Sequence, residues 1–399
     1  MATVQSATVL IPGLQNFSMH PMKGPMTTQT LKGLQGQDPL HWRGDRGTFT
    51  HFNGAFATLL GGSLLSTDDM NLFRDFINTI LYAPNPNQRL DRSLPTSFAG
   101  GDPVAGRNTY LNDQYQPTLT CNVCHSLPTG TNRLLIGRSA LQETQDFKVP
   151  QLRNMYQKGW FVKSATAVSL SGFGLVHDGS DPDLTTFLSR AVFGTFSNDT
   201  VRKTNLNAFL QCLDTGTAPA VGFSRTHTAT SPPTPAETAD WSIMESQAAA
   251  GNCDLVLFVT RGGERHGYRY SPVPQTYEPD STTLPPLTRT AVIDLLTDGA
   301  VVTVMGAPVG SGLRLALDRN ADGMKDGDDP LPLLDFHLAA GLPQLAWPAD
   351  DYWLVLERST DLSPNAWQTV TLPRATLNNA VNVQDSWAGD RTFYRLRRP

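Results

Sequence analysis

Two cysteines and a histidine packed into five residues, Cys121-Asn-Val-Cys124-His125, are the part of this sequence best suited to chemistry. The C-x-x-C-H order is the attachment sequence of a c-type haem. Two thiols at this spacing bond to the haem vinyl groups, and the next residue presents an imidazole to the iron. A thioredoxin-like dithiol would follow a β-strand, but Tyr115-Gln-Pro-Thr-Leu-Thr120 contains a turn-forming proline and no apolar run. A zinc site would need more ligands, and there is no second C-x-x-C. The expectation is one haem c held by Cys121, Cys124 and His125, with His125 proximal to the iron.

The distal side has competing readings. Met155 is either a sixth ligand, which would raise the potential, or an ordinary core methionine. His177 sits in Gly172-Phe-Gly-Leu-Val-His-Asp-Gly179, where glycines allow close backbone approach. It can ligate iron, hydrogen-bond a propionate, or order the loop through Asp178. Arg153, Arg133 and Arg138 either pair with propionates or are solvated.

A second cluster of donors runs Asp318-Arg-Asn320-Ala-Asp322-Gly323-Met324-Lys-Asp326-Gly-Asp328-Asp329. Oxygen donors recur as in a calcium loop, with Gly323 at the sharp turn and the Met324 carbonyl after it. The expected ligands are Asp318, Asn320, Asp322, Met324, Asp326 and Asp329. The last position is Asp where a longer Glu is usual. Because Leu313 to Leu317 before it reads as a strand, a structural loop is expected rather than a sensor pair. A solvated acidic turn is the bland alternative.

Positioning these groups requires a helical region followed by β-rich ones. Asp102 caps a helix beginning at Pro103. Further helices are expected over Val149 to Phe161, Leu184 to Phe196 and Val201 to Leu213. Upstream, a short helix is expected over Phe52 to Leu60. Ser66 or Thr67 should cap another, whose Leu72, Phe73, Phe76, Ile77 and Ile80 face a core. Later, a helix over 241–250 and one over Arg289 to Leu296 accompany strand-like runs at 253–260, 266–272, 300–306 and 311–318. The fold class expected is multidomain, a mainly α cytochrome c domain followed by small β-rich modules. The boundaries are a partial or degenerate cytochrome-like domain at 1–100, a mono-haem domain at 101–214 and a linker at 215–240. An α+β module with the calcium-type loop follows at 241–345, then a β-sandwich-like domain at 346–399. Cys212 and Cys253 either pair or are two buried thiols.

Cys121 to His125, then Phe147-Lys-Val-Pro-Gln-Leu-Arg-Asn154, then His177-Asp-Gly179, resemble in order and spacing a known arrangement. It is the second haem domain of the bacterial di-haem cytochrome c peroxidase superfamily, which includes the methylamine-utilisation peroxidase-like proteins. Gly24-Pro-Met-Thr-Thr-Gln-Thr-Leu-Lys-Gly-Leu34 and His41-Trp-Arg-Gly-Asp-Arg46 resemble the closing half of the first haem domain, whose own C-x-x-C-H is missing here. The likeness spans about residues 20–215, and the whole chain is similar to C-terminal cytochrome regions of large secreted or cell-surface bacterial proteins. In the family the axial Met usually follows the His-Asp-Gly element, yet the matching helix LTTFLSRAVFGTF has none. The family passes electrons through its second haem while peroxide reacts at the first. The resemblance therefore implies extracytoplasmic electron transfer with a redox partner protein or a second haem domain. A peroxidase-like oxidoreductase needing a second haem is one alternative. A cell-surface structural or binding protein with a vestigial haem domain is the other.

Composition narrows the partners. With 399 residues, 31 Lys plus Arg and 36 Asp plus Glu, the charge of -5 supplies no basic stripe for nucleic acid. No apolar run is long enough for a transmembrane helix. The 33 Gly and 29 Pro predict much loop. Residues 1–19 lack a basic region followed by an apolar one, whereas haem c belongs to the periplasm, the cell surface or secreted proteins. A piece of a longer chain reconciles the two. Arg261 to Tyr270 reads as a twisted hairpin with solvated arginines rather than a carbohydrate site.

Overall fold

The computed structural model describes residues 8–9, 17–18, 24, 26–115, 119–159, 172–363, 365–386 and 391–398. Met1–Thr217 and Ala218–Pro399 form two compact units. About 28% of the chain is helical and 22% strand, which overturns the expectation of a mainly α cytochrome domain. The reason lies in the punctuation of the first unit. Five of its eight described α-helices run only four to six residues, ending at caps as varied as Leu59, His125, a left-handed Gln142, Gly159 and Ser189.

In the first unit, β1 (Thr8–Val9) pairs with β2 (Phe17–Ser18). A 3-10 turn at Phe49–Phe52 leads into α1 (Asn53–Thr58). Then comes α2 (Thr67–Asn78), where Ser66 Oγ accepts the Asp69 N–H at 3.1 Å as N-cap. Its Met70 and Ile77 are buried, but Leu72, Phe73 and Phe76 are exposed, so the expected core-facing stripe is mostly open. Next are α3 (Pro103–Asn112), α4 (Cys121–Cys124), β3 (Leu135–Ile136), α5 (Arg138–Leu141) and β4 (Phe147–Lys148). The unit closes with α6 (Met155–Lys158), α7 (Leu184–Leu188), a kinked 3-10 stretch at Ala191–Asn198, and α8 (Thr200–Gln211). The helix expected over Val149 to Phe161 is reduced to the one turn of α6, its end lying outside the described residues. The helix expected over Leu184 to Phe196 ends at Leu188, the chain turns extended at Arg190 (ψ 146°), and the 3-10 stretch after it is kinked at Gly194 (φ 56°).

Among the described residues of this unit, α3 and α8 are the two long helices that pack together. Gly106 lies so close to α8 that a Cβ there would stand 2.0 Å from the Asn205 carbonyl oxygen. Asn205 Oδ1 also accepts the Asp102 N–H at 2.9 Å, so the start of α3 is fastened to the same turn. Around this crossing Tyr110, Met155, Leu175, Leu184, Leu188, Phe196, Leu206 and Phe209 form one apolar cluster. The segment at 84–100 latches onto the unit. Buried Asn85 donates to the Gln211 and Leu213 carbonyls at 2.9 Å each, and Arg92 donates to Thr217.

The second unit begins with β5 (Ser224–His227), an edge strand inside the stretch expected to be a linker. Then come α9 (Pro235–Ala249), β6 (Asp254–Arg261), β7 (Glu264–Ser271), β8 (Thr276–Pro279), α10 (Arg289–Thr297), β9 (Val301–Ala307) and α11 (Gly312–Ala316). The strands make an antiparallel sheet of order β5-β9-β6-β7-β8. Ser311 to Asp318, expected as a strand, is the short helix α11. A Cβ on Gly267 in β7 would stand 1.9 Å from the Ala316 carbonyl oxygen, which sets how closely that helix lies on the sheet. Tyr270 and Tyr277 pair across β7 and β8, and by alternation they face the other way, toward Trp241 of α9. The Trp241 indole donates to the Tyr277 hydroxyl at 2.6 Å, and that hydroxyl donates to Glu245 at 2.8 Å.

Last come β10 (Asp335–Ala339), β11 (Leu342–Pro348), a 3-10 turn at Ala349–Asp351, β12 (Val355–Ser359), β13 (Gln368–Thr369), β14 (Ala375–Leu377), β15 (Ala380–Gln384) and β16 (Phe393–Arg397). They form sheets of order β10-β11-β15-β14 and β13-β12-β16, both antiparallel. Leu345, Trp347, Val381 and Val383 of one meet Leu356 and Leu396 of the other in a single buried core. Arg395 and Arg397 both donate to Glu357 at 2.8 Å across β12 and β16. Cys212 and Cys253 are free thiols, each buried in its own unit. Among the described residues no helix is long and apolar enough to cross a membrane.

Candidate functional site

The Cys121-to-His125 segment is held from α3. Asp102 caps that helix through Oδ1, which accepts the Val104 and Ala105 N–H groups at 2.8 and 3.0 Å. One turn beyond Gly106, Tyr110 is buried with its ring edge-on to Phe209, and its hydroxyl donates to the His125 carbonyl. The single turn of α4 carries both cysteines on one backbone arc, and the His125 N–H closes it on the Cys121 carbonyl at 2.8 Å. The loop behind then folds back. Asn132 N–H donates to the Cys124 carbonyl at 2.8 Å, Leu127 N–H to Asn122 Oδ1, and Leu152 N–H to the Thr129 carbonyl.

That loop aims the imidazole. His125 Nδ1 lies 2.9 Å from the Gly130 carbonyl oxygen, and as the donor it leaves Nε2 as the unprotonated nitrogen. Gly130 adopts φ +72°, and a Cβ there would stand 2.7 Å from Leu152, so the turn that delivers this carbonyl suits only glycine. Burial lowers the His125 pKa despite the favourable carbonyls of Gly130 and Pro150, with Lys158 lowering it further. The ring is therefore neutral at neutral pH, the form that ligates metal. Burial also pushes the Cys121 thiol up to about 11 and raises Cys124, which keeps both in the thiol form.

By the chemistry of its donors this segment fits a haem c. The apolar wall beside Cys121 is formed by Tyr115, Leu188, Phe193, Phe196 and Leu206, and the crevice it encloses is about 10 Å³. Tyr115 and Phe187 both meet Phe193 edge-on, at 5.7 and 5.2 Å between centroids, a layer that a macrocycle seated here would have to part. Met155 is buried in the cluster that Cys121 also packs against, so the structure brings it to the same apolar region.

Two other expected residues are occupied elsewhere. Arg153 donates to the Gly33 carbonyl at 2.6 Å and to Gln151 at 2.8 Å, and its guanidinium lies over the Tyr82 ring. It ties the early chain to the segment after the Cys121-to-His125 motif. His177 stacks on Phe147 at 4.3 Å between centroids, and its carbonyl accepts the Thr27 N–H. Its Nδ1 is 3.9 Å from Glu143, which pairs with Arg190, which pairs in turn with Asp181. Arg133 donates to the Gly36 carbonyl.

A cavity of about 760 Å³ opens among Trp42, Phe52, Phe56, Tyr82, Lys148 and Lys158. Pro150, whose carbonyl faces the His125 ring, also lines it. Lys158 Nζ lies over the Trp42 ring, and burial brings the pKa of both lysines down to about 8. His41 hydrogen-bonds Asp45 at 2.8 Å beside this space. In the second unit, the arginine-rich run is the β6–β7 hairpin, with Arg265 over Phe258 and His266 bonded to Asp280.

The expected calcium loop is compact. Asp318 Oδ2 accepts the Gly323 N–H at 3.0 Å, and Asp322 Oδ1 accepts the Met324 N–H at 2.7 Å. Asp326 faces Arg319, whose backbone N–H donates to Oδ1 at 2.8 Å and whose guanidinium lies 3.2 Å from Oδ2. Among the described residues no three His, Cys, Asp or Glu side chains stand together as a ready metal cage. Tyr110 and Gly130 were not singled out from the sequence. The spacing of Gly106 and Tyr110 on one face of α3 was the available signal for the first. Comparisons of the chain with protein families, curated proteins and solved structures found no match.

Proposed function

We propose that the first unit binds one haem c covalently through Cys121 and Cys124, with His125 as proximal ligand, and carries electrons outside the cytoplasm. The observation that carries this reading is the single turn of α4 followed by a neutral imidazole whose Nδ1 is directed at the Gly130 carbonyl. The order of C-x-x-C-H, the Lys-Val-Pro-x-Leu-Arg-Asn element and His-Asp-Gly, which resembles di-haem peroxidases, supports it as well. When bound, the group supplies reversible one-electron iron chemistry.

The protein's own part is positional. Gly130 and Tyr110 hold the imidazole and its backbone, so its orientation does not depend on the iron. Leu188, Phe196 and Leu206 exclude water from one side of Cys121. Met155 offers a thioether from the same apolar cluster, which either ligates or packs.

The test is production of the full chain in an oxidising compartment with haem c maturation, followed by intact mass and reduced-minus-oxidised spectra. The wild type should gain the mass of one haem, and the Cys121→Ala/Cys124→Ala double variant none. Colourless wild-type protein at apoprotein mass would refute the reading. Met155→Ala should retain the added mass, and loss of a methionine-type low-spin signal in that variant assigns the distal ligand.

A further inference from the structure

The cavity of about 760 Å³ in the first unit has no part in the haem reading. Its wall is built from residues between 26 and 60, Tyr82, residues between 148 and 158, and Phe173 and Gly174; Cys121, Cys124 and His125 are not among them. The volume lies in the range of about 300–1,000 Å³ that drug-sized ligands occupy. Trp42, Phe49, Phe52, Phe56 and Tyr82 give the space an aromatic wall. Leu31, Leu60 and Phe173 line it and yet stay exposed, so the way in is apolar as well. A flat apolar body is the shape that aromatic faces and edges pack against best.

The same wall carries two lysines, and both meet Trp42. The Trp42 carbonyl accepts the Lys148 backbone N–H at 2.8 Å, and the Lys158 ammonium lies 5.4 Å from the centroid of its ring. The indole is itself anchored, its N–H donating to the Thr27 carbonyl at 2.9 Å. The two ammonium groups differ in what they already hold. Lys148 Nζ donates to the Gln37 carbonyl at 2.6 Å and lies in the field of Asp38. Lys158 meets the face of Trp42, and among the described residues no carboxylate pairs with it. A cation taken out of water without a counter-charge is costly, and a bound anion offsets that cost.

We propose that this cavity binds an aromatic carboxylate, a flat body of several rings whose anionic head pairs with Lys158. Volume, wall and charge each exclude an alternative. A small inorganic anion would leave the aromatic wall uncovered. A neutral body would leave Lys158 without a counter-charge, and a cationic one would bring a further positive charge to a space lined by two lysines. Lys158 therefore sets the preference for an anion, through a charge-assisted hydrogen bond that a neutral hydroxyl cannot match. Lys148 has a different part, since its bond to the Gln37 carbonyl fastens β4 to the early chain that forms the opposite stretch of wall in the sequence.

The experiment is equilibrium dialysis of the full chain at pH 7 against 1-pyrenebutyrate, with 1-pyrenebutanol as the neutral counterpart of the same shape. One equivalent of the acid should bind with a dissociation constant at or below about 20 µM, and the alcohol about tenfold more weakly. Lys158→Met should bring the two affinities to within about twofold of each other. Lys158→Arg keeps the charge and should keep the preference for the acid, which covers a Met variant that folds poorly. Lys148→Met should leave the ratio of acid to alcohol within about threefold of the wild type. Absence of saturable binding of the acid below about 100 µM overturns the proposal. So do equal affinities for acid and alcohol in the wild type, or an unchanged ratio in Lys158→Met. The Cys121→Ala/Cys124→Ala variant and the haem-loaded wild type should bind the acid alike. Loss confined to the loaded protein would give the cavity to the macrocycle and overturn a separate site. Colourless wild type at apoprotein mass would end the haem reading and leave the dialysis result standing.

Discussion

The first unit places its reactive residues on one helical turn and the loop behind it, whereas the second hangs its acidic loop beside sheets with strands of seven and eight residues. In the first, side-chain and backbone hydrogen bonds aim His125, and regular structure is concentrated in the α3–α8 crossing. In the second, backbone ladders make the frame and the loop is an attachment to it. A site built from turns depends on a few positions where only one residue type fits. A site carried on a sheet tolerates more change in its own backbone and depends on the charge it gathers.

Both units nevertheless rest on one glycine at a closest approach, and that sets the largest expected effect. Gly106→Ala and Gly267→Ala would each drive a methyl into a backbone carbonyl, at 2.0 and 1.9 Å. Each should cost about 3 kcal/mol, seen as an earlier denaturant midpoint for the unit carrying the change. If Gly106→Ala were neutral, the α3–α8 crossing would not be the frame of the first unit.

A smaller effect probes the second frame. Tyr277→Phe leaves the buried Trp241 indole N–H without its acceptor and should cost about 2 kcal/mol by chemical denaturation. A change below the error of the fit would show that α9 is not fastened there.

A further test lies in the pH dependence of the first unit. Burial brings the Lys148 pKa from 10.5 down to about 8, so between those values the folded state holds fewer protons than the unfolded one. The lysine contribution to stability should therefore rise as pH climbs through that window, while the Cys121 and Cys212 thiols, raised from 9 to about 11, pull the other way. Lys148→Met should remove about half of the rise, since Lys158 contributes in the same sense. Denaturation midpoints measured at several pH values across the window check the sign. A wild type and a Lys148→Met variant with the same pH dependence over it would contradict the burial of Lys148.

Local signals were the most readable part of the sequence. Ser66 before two aspartates and Asp102 before Pro103 mark helix starts that the structure contains, because a cap needs only neighbours in the chain. The C-x-x-C-H turn was legible for the same reason. Ser311 to Asp318 misled because Leu313, Leu315 and Leu317 alternate like a strand. Packing overrides that pattern: Gly312 N–H donates to Asp254 at 2.6 Å, and α11 is drawn onto the Gly267 gap. The stripe on α2 misled in the opposite direction, since helical spacing identifies an apolar face but not what covers it. Tyr110 reaches the His125 carbonyl across 15 residues, and no local spacing rule links the two.

Asn85 has a bearing on how this protein is dissected. The proline- and asparagine-rich stretch from 84 to 100 reads like a hinge at which to cut, and a fragment beginning at 101 would look like the natural minimal haem unit. Such a fragment would strip α8 of the amides that satisfy the Gln211 and Leu213 carbonyls, and would take away the Arg92 clasp on Thr217. Expression trials that keep residues from 26 onward preserve the far end of α8, and with it the helix that presses on Gly106.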